Sequence, residues 1–193
     1  MDRDLPANVD VAERVSHRYH RIRVIVTLGV IGAVTMLIGI AGLLDPDNLH
    51  PVRYIAGCSL VAIVCGAAVL YLARFGGKTT LSVELAMLSG LVATCLNTIY
   101  GGVVNVDSWR QVCAYLIVIL IAGGVSLRRW PSFGFFLGFT LVAWTGAILG
   151  SDEPDKFLFD SYILIVLGAL VGGTILWLFR IERERVTELT REL

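Results

Sequence analysis

The sequence predicts an all-α integral membrane protein, a bundle of six transmembrane helices. Hydrophobic residues make up 56% of the chain and charged residues only 17%, which is unlike a soluble domain. Six apolar runs are each near the roughly 20 residues that a helix needs to cross the hydrocarbon core of a bilayer. The first run follows about twenty polar residues and further runs come after it, so it is not a cleaved signal peptide.

Short segments rich in turn-forming residues separate the apolar runs, so consecutive helices are expected to be antiparallel neighbours. The runs occupy residues 24–44, 52–73, 81–104, 109–127, 130–149 and 157–179. The segments between them read DPDNLHP (45–51), RFGGK (74–78), NVDS (105–108), RRWP (128–131) and GSDEPDK (150–156).

The distribution of arginine and lysine predicts the orientation. If the N-terminus is cytoplasmic, 13 of the 16 basic residues lie on the cytoplasmic side, and only Arg53, Arg110 and Lys156 lie outside. We therefore expect a multi-pass protein of a bacterial cytoplasmic membrane with both termini inside. The 16 acidic residues balance the basic ones, so the net charge of zero gives no indication of a nucleic-acid partner.

The N-terminal segment, residues 1–23, is predicted to be a cytoplasmic amphipathic helix in the membrane interface. Asp10 and Glu13 stand at capping-box spacing, and apolar residues recur along one side of DVAERVSHRYHRIR. Its basic face is expected to lie against anionic headgroups. His17 and His20 are assigned to this surface rather than to a metal site, because the segment shows no further ligands.

The C-terminal segment, residues 180–193, continues the sixth span as a charged helix. Heptad spacing relates four apolar positions, namely Phe179, Val186, Leu189 and Leu193. The unbroken register favours a signalling or coiled-coil helix that leads to a further output domain, and a solvated helix end is the alternative.

This layout resembles the N-terminal six-helix membrane modules of bacterial nucleotide-signalling enzymes, the GGDEF-type diguanylate cyclases and membrane-anchored class III adenylate cyclases. The local features that carry the resemblance are the basic N-terminal helix, LARFGG at 72–77, LRRW at 127–130 and RIERERVTELTREL at 180–193. The resemblance implies a homodimeric anchor that senses a signal and couples it through the last helix to a cyclase. No catalytic domain is present in the 193 residues, so no catalytic residue is implied.

Glu84 is the clearest ionisable residue inside a span. It is either a switch that responds to a proton or ligand, or an acid favoured by the dipole of the helix's first turn and paired with an arginine. Asp160, at the start of the sixth span, has the same two interpretations.

Polar and aromatic residues toward the outer side predict a second candidate site, a pocket for a small apolar ligand with one polar group. The group comprises Asn97, Tyr100, Trp109, Tyr115, Trp144, Asp160 and Tyr162. The alternative is an aromatic belt at the membrane interface together with ordinary interhelical hydrogen bonds.

Two glycine pairs at GxxxG spacing allow close helix packing, either within the bundle or between two copies of the chain. Gly134 and Gly138 form the pair in the fifth span, and Gly168 and Gly172 form the pair in the sixth. The four cysteines all lie within spans and are assigned to packing, although a disulfide or metal site stays open.

Catalytic and cofactor motifs are missing from the chain. No histidine or lysine lies within a span, and HExxH, GxSxG, the P-loop and the Rossmann fingerprint do not occur. We therefore predict no cofactor and no self-contained enzyme. Besides the signalling module, two functions remain open: a small six-helix transporter or channel, and a structural subunit whose last helix docks a separate partner.

Overall fold

A computed structural model describes residues 7–44, 50–76, 79–104, 109–150 and 158–192, and within these ranges the chain is helical with no strand. The helices of this described part follow the predicted runs in order. They are α1 (Ala7–Leu44), α2 (Pro51–Phe75), α3 (Thr80–Val104), α4 (Trp109–Ser126), α5 (Trp130–Leu149) and α6 (Leu158–Glu192).

Helices that are consecutive in the chain alternate in direction through the bundle. Gly32 of α1 lies against Cys65 of α2, and Gly39 lies against Cys58, so these two helices are antiparallel. Helices α5 and α6 are also antiparallel, because contacts join Trp130 to Gly173 and Trp144 to Ser161. The result is an up-and-down bundle in which every short connection reverses the chain.

Helices α4 and α6 run in the same direction and pack closely through glycine. A Cβ on Gly168 would lie 3.1 Å from the Cα of Ile117, and one on Gly172 would lie 2.7 Å from the carbonyl oxygen of Leu120. Gly124 lies against the backbone of Gly172. The predicted pair in α6 therefore works inside the bundle, where the absence of side chains allows two backbones to meet.

The glycine pair in α5 has the opposite environment. Gly134 and Gly138 are exposed, and a Cβ added to either would meet no atom within 4 Å. Because both pairs have the same spacing, the sequence could not distinguish their surroundings.

Alternating helix direction collects the basic residues at one end of the bundle. This basic end holds the arginines near the start of the apolar part of α1, the end of α2, the α4–α5 connection and the exit of α6, namely Arg21, Arg23, Arg74, Arg128, Arg129, Arg180 and Arg183. The opposite end, called the distal end below, holds Asn97, Trp144 and Ser161.

Large apolar side chains cover the outside of the bundle as well as its core. Leu70 and Val142 are 70% and 74% exposed, whereas Leu91 and Phe136 are fully buried. Of the described helices, five are long and apolar enough to cross a membrane, and the described side chains of α4 form a shorter apolar helix, Val112–Ser126. The architecture is therefore a helical bundle compatible with a multi-pass membrane protein.

Both terminal segments continue their neighbouring spans as single helices. Helix α1 passes residue 23 without a break, and α6 continues past Phe179 to Glu192. His20, which was assigned to the interfacial surface, is only 4% exposed. The reason is periodic: His20 lies one turn before Val24 and two before Leu28, on the same buried face of α1.

Candidate functional site

Glu84 joins α3 to the start of α5 through both carboxylate oxygens. It is fully buried. Its Oε1 accepts a hydrogen bond of 2.9 Å from the backbone N–H of Arg128, and its Oε2 accepts one of 2.6 Å from the hydroxyl of Ser132. A buried carboxylate is stabilised when donors satisfy its oxygens, so this side chain fixes the α4–α5 connection against α3.

Arg23 connects α1 to two other helices at the same end. Its NH2 lies 3.4 Å from the carbonyl oxygen of Ser126 and 3.4 Å from Nδ1 of His20. Its guanidinium also lies 5.5 Å from the ring centre of Phe179, the last apolar residue before α6 becomes charged. Arg23 therefore links α1, the end of α4 and the exit of α6 through one side chain.

Arg183 lies one turn beyond Phe179 and extends this network along α6. Its Nε donates to the carbonyl oxygen of Phe179 at 3.1 Å. It is close enough to Glu84 to be attracted by the carboxylate, and to Arg23 and Arg128 to be repelled by their charges. The basic end thus brings one buried acid together with several arginines from three parts of the chain.

Arg21 secures another helix terminus at this end. Gly76 adopts a left-handed conformation (φ 75°) and closes α2 by donating its N–H to the carbonyl oxygen of Leu72. Arg21 NH1 donates to the Gly76 carbonyl oxygen at 3.0 Å. A cation at a helix C-terminus is favoured by the exposed carbonyl groups there, so Arg21 fastens α1 to the end of α2.

The predicted outer residues use their polar groups in contacts between helices. Asn97 Nδ2 donates to Cys58 Sγ at 3.6 Å, and its Oδ1 packs against Gly57. Trp144 is fully buried, and its indole N–H donates to the Ser161 hydroxyl at 3.1 Å. Both contacts join neighbouring helices, which is the alternative that the sequence left open.

The remaining outer residues do not all lie on the buried side. Tyr100 and Tyr115 are 45% and 49% exposed. The hydroxyl of Tyr162 lies 2.6 Å from that of Thr145, in a further α5–α6 contact. The side chains of Trp109 and Asp160 are outside the described residues. The outer ligand pocket stays a prediction.

Glu84 and the outer residues form separate groups. Glu84 and Asn97 are 13 residues apart on one helix, about 20 Å along its axis at the usual rise per residue. The structure brings Glu84 together with Ser132, Arg128 and Arg183 instead. The sequence predicted an arginine as the partner of Glu84 but not Ser132, whose contact depends on how the α4–α5 connection folds.

Of the four apolar positions predicted for the signalling helix, the structure describes the side chains of two, Phe179 and Val186. Phe179 is partly buried beside Arg23, whereas Val186, two turns further on, is 58% exposed. The side chains of Leu189 and Leu193 lie outside the described residues. All four cysteines are buried and free.

Comparisons with protein-family models, curated proteins and solved structures give no match.

Proposed function

We propose that the chain is the membrane anchor and sensory input module of a bacterial nucleotide-signalling enzyme, with α6 as the output element. One observation carries the proposal: α6 is a single helix from Leu158 to Glu192, and Arg23 contacts it where its apolar part ends. A helix without a break transmits a shift or rotation along its axis, because its backbone hydrogen bonds resist local bending.

The basic end is the proposed origin of the movement. A change there in the position or charge of Glu84 alters its attraction for Arg183, and Arg183 lies on the continuation of α6. The contact between Arg23 and Phe179 couples α1 to the same turn of α6. Helices α1 and α3 therefore both act on the segment of α6 that would lead to an output domain.

The proposed topology has six crossings with both termini in the cytoplasm. Helix α4 has 18 residues, about 27 Å at the usual rise, and it packs alongside α6 in the bundle. A bundle inserted as a unit would carry α4 across the bilayer with the others. The clustering of arginines at one end supports placing that end in the cytoplasm.

Labelling of introduced cysteines tests this topology, because the four native cysteines are buried. Arg53→Cys and Arg185→Cys place exposed thiols at the two ends of the bundle. A membrane-impermeant maleimide is expected to label the first in intact cells and the second only after permeabilisation. Labelling of both in intact cells would contradict the proposed topology.

The proposed module is a homodimer, and the exposed glycine pair of α5 is the surface that supports this. Gly138→Leu is expected to lower the dimer fraction in crosslinking, because a side chain there prevents close approach of a second copy. Gly29→Leu is the matched control, since Gly29 on α1 is also exposed with no atom within 4 Å of an added Cβ. Equal dimer fractions in both variants would exclude this interface.

Sequencing the native gene beyond the codon for Leu193 tests the enzymatic part of the proposal. An in-frame cyclase domain would support it and identify the nucleotide. A stop codon at once would contradict it. The alternatives then have their own tests: solute uptake into proteoliposomes for a transporter or channel, and co-purification of a second chain for a structural subunit.

A further inference from the structure

A cavity of about 790 Å³ opens at the basic end between the start of α5 and the extension of α6. Its walls carry four arginines, namely Arg128, Arg129, Arg180 and Arg183. Two glutamates, Glu184 and Glu188, also line it, so basic groups outnumber acidic ones. Glu184 pairs with Arg180 at 2.8 Å, but both side chains are 60% exposed, so the pair is weak and an anion can compete for this arginine.

The arginines at this end repel one another. The charges of Arg23 and Arg128 both act on Arg183, and the charge of Arg128 also acts on Arg23. An anion bound among the arginines of the cavity would reduce this repulsion. Guanidinium groups suit phosphate in particular, because their planar forks match its oxygens.

The cavity lies at the level where the apolar segments end. Trp130, which begins α5, lines it and is 41% exposed. Trp130 also packs against Gly173 on α6. Tryptophan is enriched at this depth of a bilayer because its ring is apolar and its N–H is polar. With the bundle in a bilayer, the charged cavity would therefore lie beside the headgroup region.

The face of α6 that lines the cavity continues toward the apolar part of the helix. Glu188, Glu184 and Arg180 line the cavity, and Trp177 and Gly173 follow on the same face at helical spacing. Trp177 is 52% exposed. This order of charged, aromatic and apolar groups matches the order of headgroup, interface and acyl chain in a phospholipid.

We propose that this cavity binds the phosphate of an anionic phospholipid, with its acyl chains along the exposed surface of α6 beside Trp177. Basic pockets between transmembrane helices are suited to such headgroups. The site requires only that the bundle is in a membrane, so it stands whether or not an output domain follows.

Native mass spectrometry of the full chain in detergent tests the proposal, with phosphatidylglycerol and phosphatidylcholine as probes of the same acyl composition. We expect the wild type to bind phosphatidylglycerol about tenfold more tightly than phosphatidylcholine. Arg129→Gln/Arg180→Gln removes two exposed arginines of the cavity without touching the hydrogen bonds of Glu84. This variant is expected to lose most of the preference.

The matched control is Arg74→Gln/Arg185→Gln, which removes the same charge from exposed positions that do not line the cavity. It is expected to keep its preference within about threefold of the wild type. An equal loss in both double variants would show general charge attraction and overturn the site. Equal binding of the two lipids by the wild type would also overturn it.

Inorganic phosphate distinguishes a lipid headgroup from a soluble phosphate compound. If the cavity takes a lipid, millimolar phosphate is expected to leave phosphatidylglycerol binding nearly unchanged, because the acyl chains add contacts that a free anion lacks. If phosphate displaces the lipid at comparable concentrations, the assignment to a lipid fails and a soluble anion is the ligand.

Discussion

The two ends of the bundle join their helices by different chemistry. At the basic end a buried carboxylate, Glu84, accepts from Arg128 and Ser132 and attracts Arg183 of α6. At the distal end the contacts are neutral, as in the hydrogen bond from Trp144 to Ser161. Charged contacts respond to ions, protons and lipid headgroups, whereas neutral ones mainly hold helices in register. Under the proposed function, the basic end responds to a signal and the distal end holds the helices in register.

The largest effect is expected from Glu84→Ala. It leaves two partly buried donors without an acceptor and removes the negative charge near Arg183. The free energy of unfolding in detergent is expected to fall by about 3 kcal/mol.

Glu84→Gln is the control for shape, because it keeps the size of the side chain and one accepting oxygen. The free energy of unfolding is expected to fall by about half as much as in Glu84→Ala. If Glu84→Ala changes the free energy of unfolding by less than about 0.5 kcal/mol, the carboxylate does not hold the basic end together.

Trp144→Phe is expected to have an intermediate effect at the distal end. It keeps a large aromatic ring in the core and removes the N–H that donates to Ser161. We expect a loss of about 1 kcal/mol, which denaturant unfolding in detergent can measure. In a double-mutant cycle, Ser161→Ala should lower the free energy of unfolding by less in the Trp144→Phe background than in the wild type. If the effects of the two substitutions simply add, the result would argue against the contact.

The smallest effect is expected from Arg180→Ala on the α6 extension. Arg180 and Glu184 are an i, i+4 ion pair at 2.8 Å, and both side chains are 60% exposed. Pairs of this kind contribute about 0.3 kcal/mol and weaken with salt. The midpoint of thermal unfolding should therefore shift very little. A fall in the free energy of unfolding of more than about 1 kcal/mol would mean that the extension is packed more firmly than its exposure indicates.

The sequence predicted the helices well where hydropathy changes sharply. The fifth run, residues 130–149, coincides with α5 (Trp130–Leu149), and the third begins one residue after α3 (Thr80–Val104). The charged segments before the first run and after the last are helical too, and the sequence predicted the continuation of the sixth span but treated residues 1–23 as a separate helix. Arginine and glutamate are good helix formers, so polarity marks the membrane boundary and not the end of a helix.

Of the residues at the candidate site, the sequence predicted only the buried acid. Glu84 stood out because an ionisable residue within a span is costly. Its partners include the backbone N–H of Arg128, a donor that any residue at that position would offer. The location of His20 also escaped prediction, because its segment was treated as separate from α1. Such contacts depend on tertiary packing, which periodicity alone does not contain.

Hydrogen exchange at the α6 extension tests most directly whether the basic end controls this helix. Arg23→Gln removes the contact between Arg23 and Phe179, and Arg74→Gln removes an exposed charge from the same end. In detergent, amides 180–192 are expected to exchange at least about threefold faster in the first variant and at the wild-type rate in the second. Protection of residues 161–176 should stay unchanged in both. Wild-type exchange of the extension in Arg23→Gln would contradict the coupling of α6 to the basic end.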